Sequence, residues 1–172
     1  IHTGQSDCYG ETKNGSEIRA ITLAQDRGGD SARSWRFNIL LVDEARLVKE
    51  NIIEEILIPM TKTKRKAALH WKQNEKGKVI FISSAYLKTS GLYTRFKFHF
   101  EQMTSGNKNY IAMCFPYQVG VQAGLFDQED IEQERNKPSM SLDKFTYEYL
   151  GTFVGSSGES YYPYELTMPC RT

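Results

Sequence analysis

Two adjacent acidic residues, Asp43 and Glu44, directly follow the apolar run Ile39-Leu40-Leu41-Val42. A buried strand holds its last residues rigidly at the carboxyl edge of a sheet, where ligands bind in open α/β folds. An aspartate at that edge holds Mg²⁺, usually through water. A glutamate beyond it orients and deprotonates the water that attacks a γ-phosphate. The pair therefore predicts metal-assisted phosphoryl chemistry.

Four apolar residues followed by Asp-Glu also form the Walker B pattern of P-loop ATPases. In this interpretation Asp43 binds Mg²⁺ and Glu44 is the catalytic base. The pattern is short, however, and acidic pairs often end strands simply because the chain is leaving the core. The motif alone leaves both interpretations open.

A second strand ends in small hydroxyl residues about 40 positions later. Residues 78–82 (KVIFI) predict a short buried strand, and Ser83, Ser84 and Ala85 follow it. Such residues place a polar sensor beside the γ-phosphate, so that its loss is felt by the following helix. The alternative is an ordinary strand end with a serine helix cap. The order and spacing of the two strand-end motifs favour the ATPase interpretation.

Arg33 lies in the polar loop 26–34 (DRGGDSARS), just before the Walker B strand. A guanidinium from a neighbouring subunit neutralises charge in the transition state and accelerates such reactions by about 10³ to 10⁵. The alternative, a surface arginine in contact with water or a carboxylate, stays open.

The phosphate-binding motif G-x-x-x-x-G-K-[ST] does not occur in the sequence. Gly10 and Gly15 precede Ser16-Glu17 without a lysine, and Gly77-Lys78 continues with valine. The backbone amides and lysine that hold β- and γ-phosphates would have to come from residues before Ile1. We therefore expect the chain to be part of a longer protein.

Composition is that of one ordinary globular domain, with 40% hydrophobic and 25% charged residues. The net charge of +1 gives no basic field, so any DNA contact requires a local patch such as residues 62–66 (KTKRK), which is otherwise a solvated surface run. The three cysteines form no CxxC pair, which favours a reducing intracellular setting over disulfides or zinc. No apolar run approaches the roughly 20 residues that span a bilayer.

Strand and helix patterns alternate along the chain, which predicts a parallel sheet with helices on its faces. The continuous apolar runs favour strands that are covered on both faces. The expected strands are residues 17–25, 37–42, 78–82 and 110–114, and the expected helices are residues 48–60, about 92–103, 127–136 and one that starts near 141.

Three segments in this order resemble the ATPase domain of large terminase subunits of tailed phages. SEIRAITLAQDRGGDSARSWRFNILLVDEARLV resembles its middle, where an arginine-containing loop precedes a strand that ends in Asp-Glu-Ala. FISSA resembles the family's coupling motif, and FTYEYLGTF with SYYPYEL resembles the segment that leads to the nuclease. The likeness covers about residues 16 to 168.

The resemblance implies an α/β, RecA-like P-loop NTPase of the ASCE type. Its mostly parallel central sheet would be flanked by helices and incomplete at the N-terminus. Residues 1–154 would be the C-terminal part of the ATPase domain, and residues 155–172 a linker toward an absent nuclease domain.

The resemblance also implies roles for single residues. Asp43 would bind Mg²⁺, Glu44 would be the catalytic base, and Arg33 would act in trans. Ser83 to Ala85 would contact the nucleotide and couple its hydrolysis to motion. The family often has Arg-Gly where this chain has Arg33-Ser34, so the sequence departs from the family at Ser34.

The implied activity is hydrolysis of ATP with Mg²⁺, which drives double-stranded DNA into a phage capsid. The implied partners are DNA, the portal protein, a small terminase subunit and further copies in a ring, in the host cytoplasm and without a membrane. Two alternatives stay open: another RecA-like helicase or translocase, and a catalytically incomplete prophage fragment that acts only as a folding or interaction module. We expect this chain alone to be inactive.

Overall fold

A computed structural model of the protein describes residues 2–3, 7–23, 35–62 and 77–155. The chain divides into two compact units. The first unit comprises Ile1–Val42 and Val48–Ile80, and the second unit comprises Asp43–Leu47 and Phe81–Thr172.

The first unit contains a three-stranded antiparallel sheet in the order β1 (His2–Thr3), β2 (Asp7–Glu11) and β3 (Glu17–Ile21). The turn between β2 and β3 needs Gly15, whose φ of 77° is in the left-handed region. The strand predicted at residues 17–25 is present but shorter, since β3 ends at Ile21. Its expected parallel pairing is wrong, because its partner is the preceding strand of a hairpin.

A separate two-stranded sheet consists of β4 (Ile39–Val42) and β5 (Lys78–Phe81). The N–H of Lys78 donates to the carbonyl oxygen of Asn38 at 2.8 Å, where both strands begin, so the strands run parallel as predicted. One face is exposed, since 57% of Ile39 and 55% of Leu41 are accessible to solvent. The expectation that β4 is covered on both faces is therefore wrong for the described residues.

Residues 110–114, which the sequence predicts as a further strand, join neither sheet. Ile111 and Met113 within them are exposed. The described residues thus form one small antiparallel sheet and one small parallel sheet rather than a single mostly parallel sheet. The RecA-like architecture stays a prediction.

The predicted helix at residues 48–60 is confirmed as a continuous helical run from Glu50 to Met60. It consists of α1 (Glu50–Ile52), a π-helix (Ile53–Leu57) and α2 (Ile58–Met60). The N–H of Ile58 donates to the carbonyl oxygen of Ile53, five residues back, and the next residue, Pro59, has no N–H to donate. The wider turn keeps one apolar face on the core, with Ile52, Ile53, Ile56, Leu57 and Met60 buried.

Directly after this run, Thr61 is buried and its hydroxyl donates to the carbonyl oxygen of Ile58 at 2.8 Å. The backbone of Gly77 lies against Thr61, so closely that a Cβ atom at position 77 would overlap the Thr61 carbonyl oxygen. Only glycine fits there.

The second unit carries four α-helices among its described residues: α3 (Gly91–Thr104), α4 (Tyr117–Gln122), α5 (Gln128–Arg135) and α6 (Leu142–Glu148). The predicted starts of the last two are confirmed. The carboxylate of Asp127 accepts the N–H of Glu129 at 3.1 Å, and the hydroxyl of Ser141 accepts the N–H of Lys144 at 3.1 Å. The unit's buried apolar residues include Ala45, Ala85, Ile131, Phe145 and Val154.

Candidate functional site

The acidic pair lies in a turn of unusual backbone conformation. Asp43 and Glu44 are exposed, and a carboxylate oxygen of Asp43 accepts the N–H of Glu44 at 3.0 Å. Glu44 has a φ of 47°, in the left-handed region. This conformation costs a residue with a Cβ atom roughly 1–2 kcal/mol, and it persists only where the surroundings impose it. The structure thus holds Glu44 in a backbone conformation that its residue type disfavours.

The turn contacts the segment that follows β5. The N–H of Ala45 donates to the carbonyl oxygen of Ile82 at 3.1 Å, and the N–H of Arg46 donates to the hydroxyl of Ser83 at 3.2 Å. Next along the chain, Ser84 is half-buried and Ala85 is buried. The structure therefore brings the two predicted strand-end motifs together, whereas the chemical roles of their residues stay predictions.

Arg46 is the residue of this site that sequence reasoning missed. Its Nε lies 3.4 Å from a carboxylate oxygen of Glu44, and its Nη1 lies 2.9 Å from a carboxylate oxygen of Glu148, the last residue of α6. Solvent does not reach either nitrogen. Neither contact has hydrogen-bond alignment, so these are ion pairs held by charge.

Two tyrosines lie beside the Arg46 guanidinium. Its central carbon lies 5.6 Å from the ring centroid of Tyr86 and 5.9 Å from that of Tyr147. The two rings meet edge to face, with centroids 5.4 Å apart. Burial, and then the negative charge of Glu148, raises the pKa of Tyr147. The phenol therefore stays neutral, and the cation lies near two aromatic rings that attract it, both on the same side of the guanidinium.

The turn offers two exposed carboxylates to a cation, those of Asp43 and Glu44. Within residues 2–3, 7–23, 35–62 and 77–155, no three His, Cys, Asp or Glu side chains gather to hold a metal ion. Mg²⁺ commonly binds through one or two carboxylates, with water and phosphate oxygens filling its other positions. The exposed carboxylate of Asp43 fits that role. The sequence has no G-x-x-x-x-G-K-[ST] motif for the phosphates of a nucleotide.

The remaining sequence predictions fall on residues that the structure does not describe. Arg33, residues 63–66 of the basic run and residues 156–172 of the predicted linker lie outside the described ranges.

The sequence offers one indication that Arg46 belongs to the site, namely its position two residues after the acidic pair. Its second partner, Glu148, lies far away along the chain and gave no signal.

Comparison with protein-family models, with curated proteins and with solved structures finds no match in any of the three. The resemblance to large terminase subunits therefore rests on the sequence motifs alone. In the part of the chain that the structure describes, no helix combines the length and the apolar character needed to cross a membrane.

Proposed function

We propose that this chain carries the Walker B and coupling segments of an ATP-driven DNA-packaging motor of the large terminase type. The supporting observation is the contact between the two strand-end motifs: the turn with Asp43 and Glu44 is hydrogen-bonded to Ser83 through the N–H of Arg46. A hydrolytic motor needs such a link, because a change at the nucleotide has to reach a second segment.

In this proposal Asp43 would hold Mg²⁺, which neutralises phosphate charge when it is bound. Glu44 would orient the attacking water and accept its proton. Its side chain is 52% exposed, so water reaches the carboxylate. The Ser83 hydroxyl accepts the N–H of Arg46, which is two residues after Glu44. Displacement of Ser83 would therefore move the turn and with it the Glu44 carboxylate.

The wider proposal is a RecA-like motor that moves double-stranded DNA in the host cytoplasm. It would act with a portal protein, a small terminase subunit and further copies in a ring, across which Arg33 would act in trans. Residues that this sequence does not supply would provide the phosphate-binding loop.

The first test is divalent metal binding, with Mn²⁺ as the probe in electron paramagnetic resonance titrations. We expect weak binding, because the turn offers few protein ligands and affinity rises with their number and charge. Asp43→Asn should abolish this binding. Asp130→Asn, which removes an exposed carboxylate from α5, is the matched control and should bind as the unaltered chain does. Equal binding by the Asp43 and Asp130 variants would contradict the proposal.

The absence of a phosphate-binding loop favours a second candidate, a module that binds partners and hydrolyses nothing. ATP turnover by the chain, with and without DNA, is expected to be absent in both cases. Mn²⁺ binding that depends on Asp43 separates the two candidates. The motor segment should show such binding, whereas a module that only binds partners has no need of a metal site. Robust turnover that Glu44→Gln abolishes would show that the chain holds phosphate by another route.

A further inference from the structure

The two neighbouring carboxylates of the turn have different surroundings. The Asp43 carboxylate accepts the N–H of Glu44, whereas the Glu44 carboxylate faces the Nε of Arg46 at 3.4 Å. A divalent cation gathers carboxylate oxygens, and each additional carboxylate strengthens its binding. A metal held by Asp43 would therefore attract Glu44 as a second ligand, and a glutamate bound to the metal is no longer available to take a proton from water.

Arg46 is itself held in place by a second carboxylate. Its shorter ion pair, at 2.9 Å, is with Glu148 of α6, and its side chain is only 17% exposed. The rings of Tyr86 and Tyr147 confine the guanidinium further. A guanidinium spreads its positive charge over three nitrogens, so an arginine that pairs with one carboxylate at one nitrogen can attract a second carboxylate at another.

We propose that Arg46 is a positioning residue, which retains the Glu44 carboxylate and keeps it from becoming a ligand of a metal at Asp43. This inference rests on the proposed function of the acidic pair. The left-handed φ of Glu44 belongs to the same arrangement, because it fixes the direction in which that side chain leaves the turn. Through Glu148, the position of Glu44 also depends on α6, so a shift of that helix would release or tighten the carboxylate.

The test is a double-mutant cycle on Mn²⁺ affinity, measured on the 172-residue chain. Arg46→Met frees Glu44 to join the metal, so the affinity should rise severalfold, since affinity increases with the number of charged ligands. In a Glu44→Gln background the same change should produce less than about a twofold rise, because no carboxylate is left to recruit. Circular dichroism first verifies that each variant is folded.

Two further variants keep the experiment decisive. Arg46→Lys retains the positive charge but concentrates it on one nitrogen, so the gain in Mn²⁺ affinity should be smaller than in Arg46→Met. The lysine variant also replaces the methionine variant if the latter does not fold. Arg135→Met removes an equal charge from α5, where the guanidinium lies 5.4 Å from the Phe145 ring, and should produce no gain.

A gain that disappears in the Glu44→Gln background supports the inference. A gain of equal size in both backgrounds overturns it, because it would report only the loss of a nearby positive charge. Unchanged affinity in the Arg46 variants, with binding still lost in Asp43→Asn, overturns the inference while the metal site stands. If no variant binds Mn²⁺ more tightly than Asp43→Asn does, both this inference and the proposed metal site are overturned.

Discussion

The turn after β4 and the segment after β5 follow two paired parallel strands, yet they are stabilised in different ways. In the first, two exposed carboxylates lie beside a half-buried arginine, and Glu44 is the only non-glycine residue with a positive φ in the part of the chain that the structure describes. In the second, Ser83 and Ser84 are half-buried and Ala85 is buried, with only 6% of its surface exposed. The first segment depends on charge and backbone conformation, and the second depends on side-chain size.

This difference is informative because both segments belong to the same proposed site. Charge pairs and a strained turn can change when a ligand arrives, since both depend on their surroundings. A close-packed segment responds less, because its geometry is fixed by neighbouring atoms. We infer that the turn with Glu44 is the adjustable part and that the segment after β5 is its rigid support.

The largest expected effect concerns the rigid segment. Ala85→Leu adds three carbon atoms at a buried position and should lower the free energy of unfolding by about 2–3 kcal/mol, the upper part of the range for overpacking. Ser84→Leu, at the half-buried neighbouring position, is the control and should cost less. Urea denaturation measures both changes. Equal losses of unfolding free energy in the two variants would show that side-chain size is no more restricted at position 85 than at position 84.

A smaller effect is expected at the adjustable turn, where the backbone favours glycine. Glu44→Gly should be about 1 kcal/mol more stable than Glu44→Ala, because only the alanine carries a Cβ atom into the left-handed region. The two variants lose the same carboxylate, so their difference isolates the backbone. In α5, Glu132→Ala should instead be more stable than Glu132→Gly, by a similar amount. The same sign at both positions in chemical denaturation would argue against strain at Glu44.

The smallest effect is a pH dependence near the end of β5. The ring of Phe81 lies beside that of His99, with centroids 6.2 Å apart. Burial, and then the positive charge of Arg95, lowers the pKa of His99. The unfolded chain therefore binds the proton first, and stability falls as the pH drops below the ordinary histidine value of about 6.5.

Because His99 is only half-buried, water screens much of this effect, and the melting temperature should fall by only about 1–2 °C between pH 7.5 and pH 5.5. Differential scanning fluorimetry compares the chain with His99→Phe, which keeps the ring packing. Part of the acid sensitivity should disappear in that variant. An identical pH profile would mean that another group is responsible.

Local signals were sufficient to predict part of the fold. The capping residues of α5 and α6 lie beside the N–H groups that they satisfy, and the apolar spacing of residues 48–60 defines one face of a helix. Strand partners were predicted less well. The pairing of β3 with β2, and the absence of residues 110–114 from both sheets of the described residues, depend on contacts that apolar runs do not encode.

The candidate site was predicted in part for the same reason. Asp43, Glu44 and Ser83 are strand-end residues, and parallel pairing of their strands brings them to one edge. Arg46 was missed because its closest partner, Glu148, reaches it only through tertiary folding of α6. The positive φ of Glu44 was also not predicted, since glutamate is not a residue that favours that region.

The contact of Thr61 with Gly77 limits what can stand at position 77. Because the Gly77 backbone lies directly against the Thr61 carbonyl oxygen, any residue with a Cβ atom there would push the two backbones apart. Thr61 follows the helical run that ends at Met60, and Gly77 precedes Lys78, whose N–H pairs β5 with the start of β4. A single methyl group at position 77 would therefore disturb a helix end and a strand start together.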